Sequence, residues 1–469
     1  MTDLAQLDLP ALAEGYESRR FSPVEVIEAT LAAAERANPV VNAFVLLDHD
    51  GALLAARESE RRWREGSQKG RLDGAPFTVK DNVLWRGHPI RRGTRTSGTE
   101  PAAENAPAVD RLLEAGAVPF GKTTLPEFGW KGIGDSPLTG ITRNPWNTGV
   151  TTGASSAGAA AAAALGIGPL HIGTDGAGSI RIPCSFSGLF GIKPSFGRVP
   201  AFPPSPFAIV SHVGPMTRSV ADAAAMLTAI AAPDSRDIAA LVTPPPDFSA
   251  GLDAGIAGLR VAWSSRLGYV ERLDPEVEQL CAAAAAAFAE AGATVEEADP
   301  GFPDPTETLR TLWRVGAASI LDGIPESRWP ELDPGFLQQA EAGLSLTGRD
   351  FVAAANARYP LHRGMALFHQ RYDLLLTPTL AVPAFAVGHN TPPDGSYGED
   401  WLNWTPYSYP FNLSLQPAAT VPCGVTEAGL PVGLQIVGPM GADALVLRAA
   451  RAFEQIRPWP KIAPLRVRP

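Results

Sequence analysis

From Leu72 onward the chain alternates short apolar runs with stretches of helical spacing, each bounded by Gly or Pro, and this alternation limits the possible folds more than any other feature. The runs APFTVKDNV, AVPFGK, LRVAWSS, YDLLLTPTL and AATVPCGVTEAGLPVGLQIVG read as strands, the last as two strands around a turn. AVDRLLEAG, RSVADAAAMLTAIAA and DPEVEQLCAAAAAAFAEAG read as helices. Strands that alternate with helices bury a sheet beneath them, so the expected fold is α/β with one large, mixed and mostly buried β-sheet. The 46 glycines and 45 prolines follow no three-residue period, which makes them turn and loop residues rather than a collagen repeat.

A helical segment over 1–65 precedes this pattern. In FSPVEVIEATLAAAERANP the residues Val24, Val26, Ile27, Leu31 and Ala34 share one side, Ser22 is the N-cap and Pro23 stands in the first turn. A core over about 66–230 follows. The stretches 297–350 and 385–404, rich in Pro, Gly, Asp and Trp, read as irregular excursions. A chain of 469 residues has room for roughly three domains at about 150 each, or for one large one. With no repeat and no linker composition, the expectation is a single domain over 1–469.

The net charge of −10 leaves no basic footprint for a nucleic acid or an anionic membrane, so the expected partner is a small molecule. Cys184, Cys281 and Cys423 lie far apart without a CxxC, which suits a reducing compartment and offers neither a disulfide framework nor a zinc site. The first residues, MTDLAQLDLPALAEGYESRR, carry acids and no long apolar region, and no stretch has the roughly 18 lipid-like residues of a membrane span. A cytoplasmic protein, monomeric or homodimeric, is expected.

GAVPFGKT, from Gly116 to Thr123, satisfies the P-loop expression GxxxxGK[ST] and would make the chain a nucleotide binder. That motif must follow a strand and open a helix. Here a helix precedes it, Val118, Pro119 and Phe120 are strand-like, and Pro126 interrupts the helix that should begin at Lys122, so a helix, a glycine turn and a buried strand are expected instead.

Two loops of small residues, Gly153–Gly158 and Gly173–Ser179, flank a run of alanines. Small residues let backbones approach each other or a ligand, and successive exposed N–H groups form an anion nest. Serine occurs in both loops, yet none of the seven histidines does, and the chain has neither a GxSxG elbow nor an SxxK pair. Only six of the 39 basic residues are lysines. Of these, Lys80 sits in an apolar strand among Phe77, Val79 and Val83, where burial would yield a neutral amine able to accept a proton; the alternative is an ion pair with Asp81 at a strand end.

These residues resemble the amidase signature hydrolases. The resemblance runs through SPVEVIEATLAAAERANPVVNAF, APFTVKDN, RLLEAGAVPFGKTTLPEF, TRNPWN, both serine loops, GLFGIKPSFGRVP, GPMTRSVADAA, PAATVPCG and GLPVGLQIVG. It implies the amidase signature fold and a triad in which Lys80 is the base, Ser155 lies on a cis peptide and Ser179 is the nucleophile, with the N–H groups of Gly176, Ala177, Gly178 and Ser179 around the oxyanion. No metal and no organic cofactor is implied. Ala154, Ala157 and Ala177 stand where the family usually has glycine, which leaves the triad intact. Ser156, Cys184 and Lys193 read as structural. The resemblance also places Trp130, Gly132 and Ile133 on the substrate wall, with a core position as the alternative for Trp130, and with Phe207 and Trp404 as further apolar candidates. It thus implies hydrolysis of small aryl or alkyl amides through an acyl-enzyme, extending to esters and carbamates (urethanes). The alternative is the glutamine-hydrolysing subunit of a tRNA-dependent amidotransferase, against which stands the absence of an acid in PYSYPFNLSLQP. A catalytically dead member of the fold is disfavoured by the retention of Lys80, Ser155 and Ser179.

Overall fold

The five apolar runs supply six of the eleven hydrogen-bonded strands of the main sheet in the computed structural model, which describes residues 3–467. In chain order the eleven are β1 (Phe44–Leu47), β2 (Pro76–Lys80), β3 (Val118–Thr123), β4 (Leu170–Asp175), β5 (Phe190–Lys193), β6 (His212–Thr217), β7 (Arg260–Trp263), β8 (Thr294–Glu297), β9 (Leu374–Pro378), β10 (Ala418–Val425) and β11 (Pro431–Val437). They form one mixed sheet in the order β1-β3-β2-β4-β6-β5-β10-β11-β9-β7-β8. β2 runs parallel to both β3 and β4, with Phe77 opposite Leu170 and Thr78 opposite His171. Every residue of β2, β3, β5, β6, β9 and β11 is buried, as expected of strands covered on both faces.

The N-terminal helix forms over Pro23–Val41, closed by a capping box between Ser22 and Glu25. The segment resembling a P-loop is strand β3: Gly116 makes the turn with φ +84° after the helix Pro107–Glu114, and Lys122 spends its charge in a buried ion pair with Asp81 at 2.7 Å. The stretch 297–350 is largely helical rather than irregular, with helices over Thr306–Leu321 and Pro334–Leu344. Its prolines and aspartates start helices instead of breaking them. Asp333 caps the N–H groups of Gly335 and Phe336 while Pro334 fills the first position, where a missing N–H costs nothing. The stretch 385–404 holds only the short 3₁₀ turn Trp401–Trp404.

The alanine helix Ala157–Ala164 is buried all round. It lies so close to the sheet edge that a Cβ on Gly158 would come within 2.1 Å of the Ala43 carbonyl oxygen and 2.5 Å of the Thr124 nitrogen. Gly158→Ala would gain about 1 kcal/mol of helix propensity. The clash is with backbone, which cannot swing aside, so we expect a net loss of at least about 1 kcal/mol, in the range of overpacked cores. The check is a urea midpoint, which should fall for Gly158→Ala and should not fall for Gly364→Ala, a helical glycine with open space around it.

Candidate active site

Because β2 and β4 are parallel neighbours, their carboxyl ends deliver Lys80 and Thr174 to one place. Lys80 Nζ lies 2.8 Å from Ser155 Oγ and 2.8 Å from Thr174 Oγ1, and Asn82 Nδ2 donates to the same threonine oxygen at 3.1 Å. Lys80 is wholly buried. Burial pushes its ammonium well below the usual lysine range, more strongly than the nearby Asp175 carboxylate opposes. Asp81, the alternative partner, is taken by Lys122.

Ser155 stands between the strand Asn147–Thr151 and the alanine helix, and the bond from Ala154 to Ser155 is cis. Gly129, at φ +72°, packs onto it: a Cβ there would lie 3.0 Å from Ser155 Oγ, so this position needs glycine for both conformation and space. Ser156 ties the two serine loops together. Its N–H donates to the Ser179 carbonyl at 3.1 Å, and its hydroxyl donates to the Thr174 carbonyl and accepts from the Thr174 N–H, each at 3.3 Å. Ser179 follows β4 at the mouth of the helix Arg181–Ser187 and is 6% exposed.

The loop between β4 and that helix is shaped by Asp175. Its carboxylate accepts from Gly178 N at 2.7 Å, Ile180 N at 3.2 Å, Asn412 Nδ2 at 2.9 Å and both Nε and Nη2 of Arg181 at 3.0 Å. Burial alone would raise its pKa, yet Arg181 and Asn412 hold it below the usual carboxylate range. The Gly178 N–H is therefore committed inward and is not part of an oxyanion site, a correction to the expected set of four donors. Gly176, Ala177 and Ser179 have N–H groups without an acceptor in the chain among the described residues. Gly178, at φ +127°, leaves no room for a side chain, since a Cβ would meet Ser408 Oγ at 2.6 Å.

Ser155, Thr174, Gly176 and Ser179 face a cavity of about 510 Å³. Its apolar wall is made by Val83, Ala106, Phe128, Phe202, Phe207, Trp313 and Ile320. Trp313 stacks on Phe207 with ring centroids 3.9 Å apart and covers Gly176. The expected wall of Trp130, Gly132 and Ile133 is not there. Left-handed conformations at Phe128 and Gly129 turn the following residues away from the cavity. The Trp130 ring packs on Gly335, Gly132 lies under Trp404, and Ile133 is in the core. Trp404 is buried too, stacked on Phe186, so of the further candidates only Phe207 lines the cavity. Sequence reading missed Thr174, Asn82, Phe128 and Trp313; for Trp313 the signal was the periodicity of TETLRTLWRVGAASIL, hidden by the neighbouring prolines.

Cys184 and Lys193 support the loops. Burial pushes the Cys184 thiol up, and Lys193 Nζ donates to the carbonyls of Pro194 and Gln416. Among the described residues no three His, Cys, Asp or Glu side chains gather to hold a metal, and no helix is long and apolar enough to cross a membrane.

A family model described as Amidase matches residues 25–447. The chain is 38% identical over 463 residues to an acylamidase of Rhodococcus erythropolis, covering 97% of both chains. It is 35% identical over 485 residues to a glutamyl-tRNA(Gln) amidotransferase subunit of Myxococcus xanthus (strain DK1622), again covering 97% of each. The solved structure of a bacterial aryl acylamidase of the amidase signature family superposes with a TM-score of 0.91 at 30% identity, over 98% of both chains. The chain belongs to the amidase signature family of amide (C–N) hydrolases.

Glu127, in the turn that carries Phe128 and Gly129, is wholly buried; its Oε2 accepts from Asp333 N at 2.6 Å and its Oε1 has no partner. Burial pushes its carboxyl up to about 7, against the hydrogen bond from the Asp333 N–H and the nearby Lys131 ammonium. The unfolded chain loses this proton near the ordinary value of 4.5, so the folded state loses stability as pH rises from about 4.5 to about 7, by about 3 kcal/mol at most. Glu127→Gln, which keeps the acceptor and cannot ionise, should match the wild-type Tm at pH 4 and exceed it at pH 8.5. Equal Tm values at both pH values would mean that Glu127 is not protonated in the fold.

Proposed function

We propose that the protein is an amidase acting on small aryl or alkyl amides through a Ser179 acyl-enzyme, and that its chemistry extends to esters and carbamates. One observation carries this reading: a buried lysine amine lies 2.8 Å from a serine hydroxyl, and both face the loop where Gly176, Ala177 and Ser179 keep their N–H groups uncommitted. Neutral Lys80 takes a proton through the Ser155 hydroxyl, Ser179 attacks the carbonyl, and the N–H groups of Gly176, Ala177 and Ser179 receive the developing oxyanion. The proton returns by the same route to the leaving amine, and water then releases the acid. Esters and carbamates fit because their leaving groups are comparable or easier. The same reading has the enzyme working in the cytoplasm on a small molecule, as a monomer or homodimer, with no nucleic-acid or membrane partner and no cofactor.

A serine-directed phosphonyl fluoride should label Ser179, and Ser179→Ala should abolish turnover; label on Ser155 or Ser156 with Ser179 untouched would overturn the assignment. Lys80→Arg, whose guanidinium cannot act as a base, should lower kcat by at least about 10²-fold. Wild-type activity should rise with pH along a limb that lies below the ordinary lysine range, because the active form is the neutral amine.

Glutamine hydrolysis for tRNA-dependent amidation is the second reading, favoured by the 35% identity to an amidotransferase component. It is placed second because no acidic residue lines the cavity to receive the ammonium group of glutamine. An unpaired buried charge costs several kcal/mol. A 4-nitroanilide and an aryl carbamate should each exceed glutamine in kcat/KM by about a hundredfold or more. Trp313→Ala should lower the aryl substrates by about tenfold through lost ring contact. Glutamine as the best of the three would reverse the order of the two readings.

A further inference from the structure

Arg92 is the one charged residue that lines the cavity holding Ser155 and Ser179. Its guanidinium makes no hydrogen bond or ion pair with any described residue, unlike Arg62, Arg181, Arg236 and Arg310, each of which is held by a carboxylate. The carboxylate nearest to it in charge, Asp81, is already bound by Lys122 at 2.7 Å. The site therefore carries positive charge that the protein does not neutralise.

The backbone at this residue is also unusual. Arg92 has φ +52°, a left-handed conformation that disfavours side chains larger than those of Gly or Asn. It is fixed on both sides: the Arg92 N–H donates to the Asp81 carbonyl at 3.2 Å, and the Arg92 carbonyl accepts from Phe128 N at 2.8 Å. The first contact leads towards Lys80 and the second towards the turn that packs on Ser155. A large cationic side chain is thus held where the backbone favours a small residue, in a half-buried position that weakens its hydration. Five guanidinium donors without an acceptor in the chain suit a planar anion, and a carboxylate is the matching fork.

We propose that Arg92 determines substrate choice by receiving a carboxylate carried by the substrate, so that the preferred substrates are amides bearing a carboxylate and no ammonium group. Monoamides of dicarboxylic acids and N-acyl derivatives of amino or aminoaryl acids have this chemistry. The proposal rests on the amidase reading above and narrows it. With no acid in the wall, the free amino acid glutamine would leave its ammonium group unpaired, while a carboxylate alone would be received.

The test uses two matched pairs of anilides. Glutaric acid mono-4-nitroanilide is compared with pentanoic acid 4-nitroanilide, and N-butanoyl-4-aminobenzoate with N-butanoyl-4-toluidine, which place the carboxylate on the acyl and the amine side. In at least one pair kcat/KM should favour the carboxylate by about tenfold or more. Arg92→Gln should bring that ratio to about one, and Arg92→Lys, which keeps the charge, should retain part of it; circular dichroism and phosphonyl fluoride titration of Ser179 count the folded sites. No preference in either pair, or a preference unchanged in Arg92→Gln, would overturn the proposal. If none of the four anilides is cleaved, it is the amidase reading that fails for these substrates. The subsite is then decided by calorimetry, in which glutaric acid monoanilide should bind the wild type at least about tenfold more tightly than Arg92→Gln; equal affinities would reject it.

Discussion

The ion pair between Asp175 and Arg181 is the interaction on which the site depends. Both side chains are fully buried, and taking two charges out of water costs several kcal/mol each unless every oxygen and nitrogen is satisfied. Here they are satisfied by groups far apart in sequence: Ser408 O, Asn412 and Gln435 around the guanidinium, and Gly178 N, Ile180 N and Asn412 around the carboxylate. Because each partner is needed to complete the set, the pair fixes the end of β4, the loop after it, the turn before β10 and the centre of β11 relative to one another. The N–H groups of Gly176, Ala177 and Ser179 are left without an acceptor among the described residues.

The burial of Lys80 follows from the same arrangement. Parallel pairing of β2 with β4 brings Lys80 to Thr174, and Thr174 is one residue from Asp175. A lysine so placed has hydroxyls for partners and no carboxylate in contact, so burial lowers its proton affinity and Asp175 restores only a part. Asp81, one residue further on, carries the opposite duty of neutralising Lys122. Two lysines on adjacent strands thus have different chemistry because one of them has been given the only contacting acid.

The cavity wall is supplied by a different part of the chain. Phe207 and Trp313 form the aromatic wall, and the turn Glu127–Gly129 supplies Phe128 and the close contact on Ser155. That turn is braced from behind by Glu127, Asp333 and Lys131, with Lys131 Nζ at 2.8 Å from Asp333 and 3.1 Å from Asp135. Arg92 joins the two regions by a backbone hydrogen bond to Phe128. Lys80 and Thr174 stand on strand ends, Ser155 and Ser179 on the loops beside them, and the cavity wall on turns and a helix face packed over them.

The sequence by itself determined the α/β class, six of the eleven strands of the main sheet, the helix after Ser22 and the candidacy of Lys80 and of the two serine loops, because strand alternation, capping residues and small-residue loops are local signals; Ser155 and Ser179 are singled out within those loops by the resemblance to a known family. The P-loop expression was rejected on the same local grounds, and β3 shows why: Val118–Thr123 is a buried strand. The tertiary structure alone decided what lines the cavity. From the sequence Trp130 is expected on the wall and Trp313 is not, but left-handed turns at Phe128 and Gly129 send Trp130 into the core, while the helix Thr306–Leu321, which begins directly after Pro305, brings Trp313 over Gly176. It also decided which N–H of the loop is spent on Asp175 and that the arginine lining the cavity lacks a partner among the described residues. Direction and partnership are properties of distant segments packed together, and a one-dimensional pattern holds no record of them.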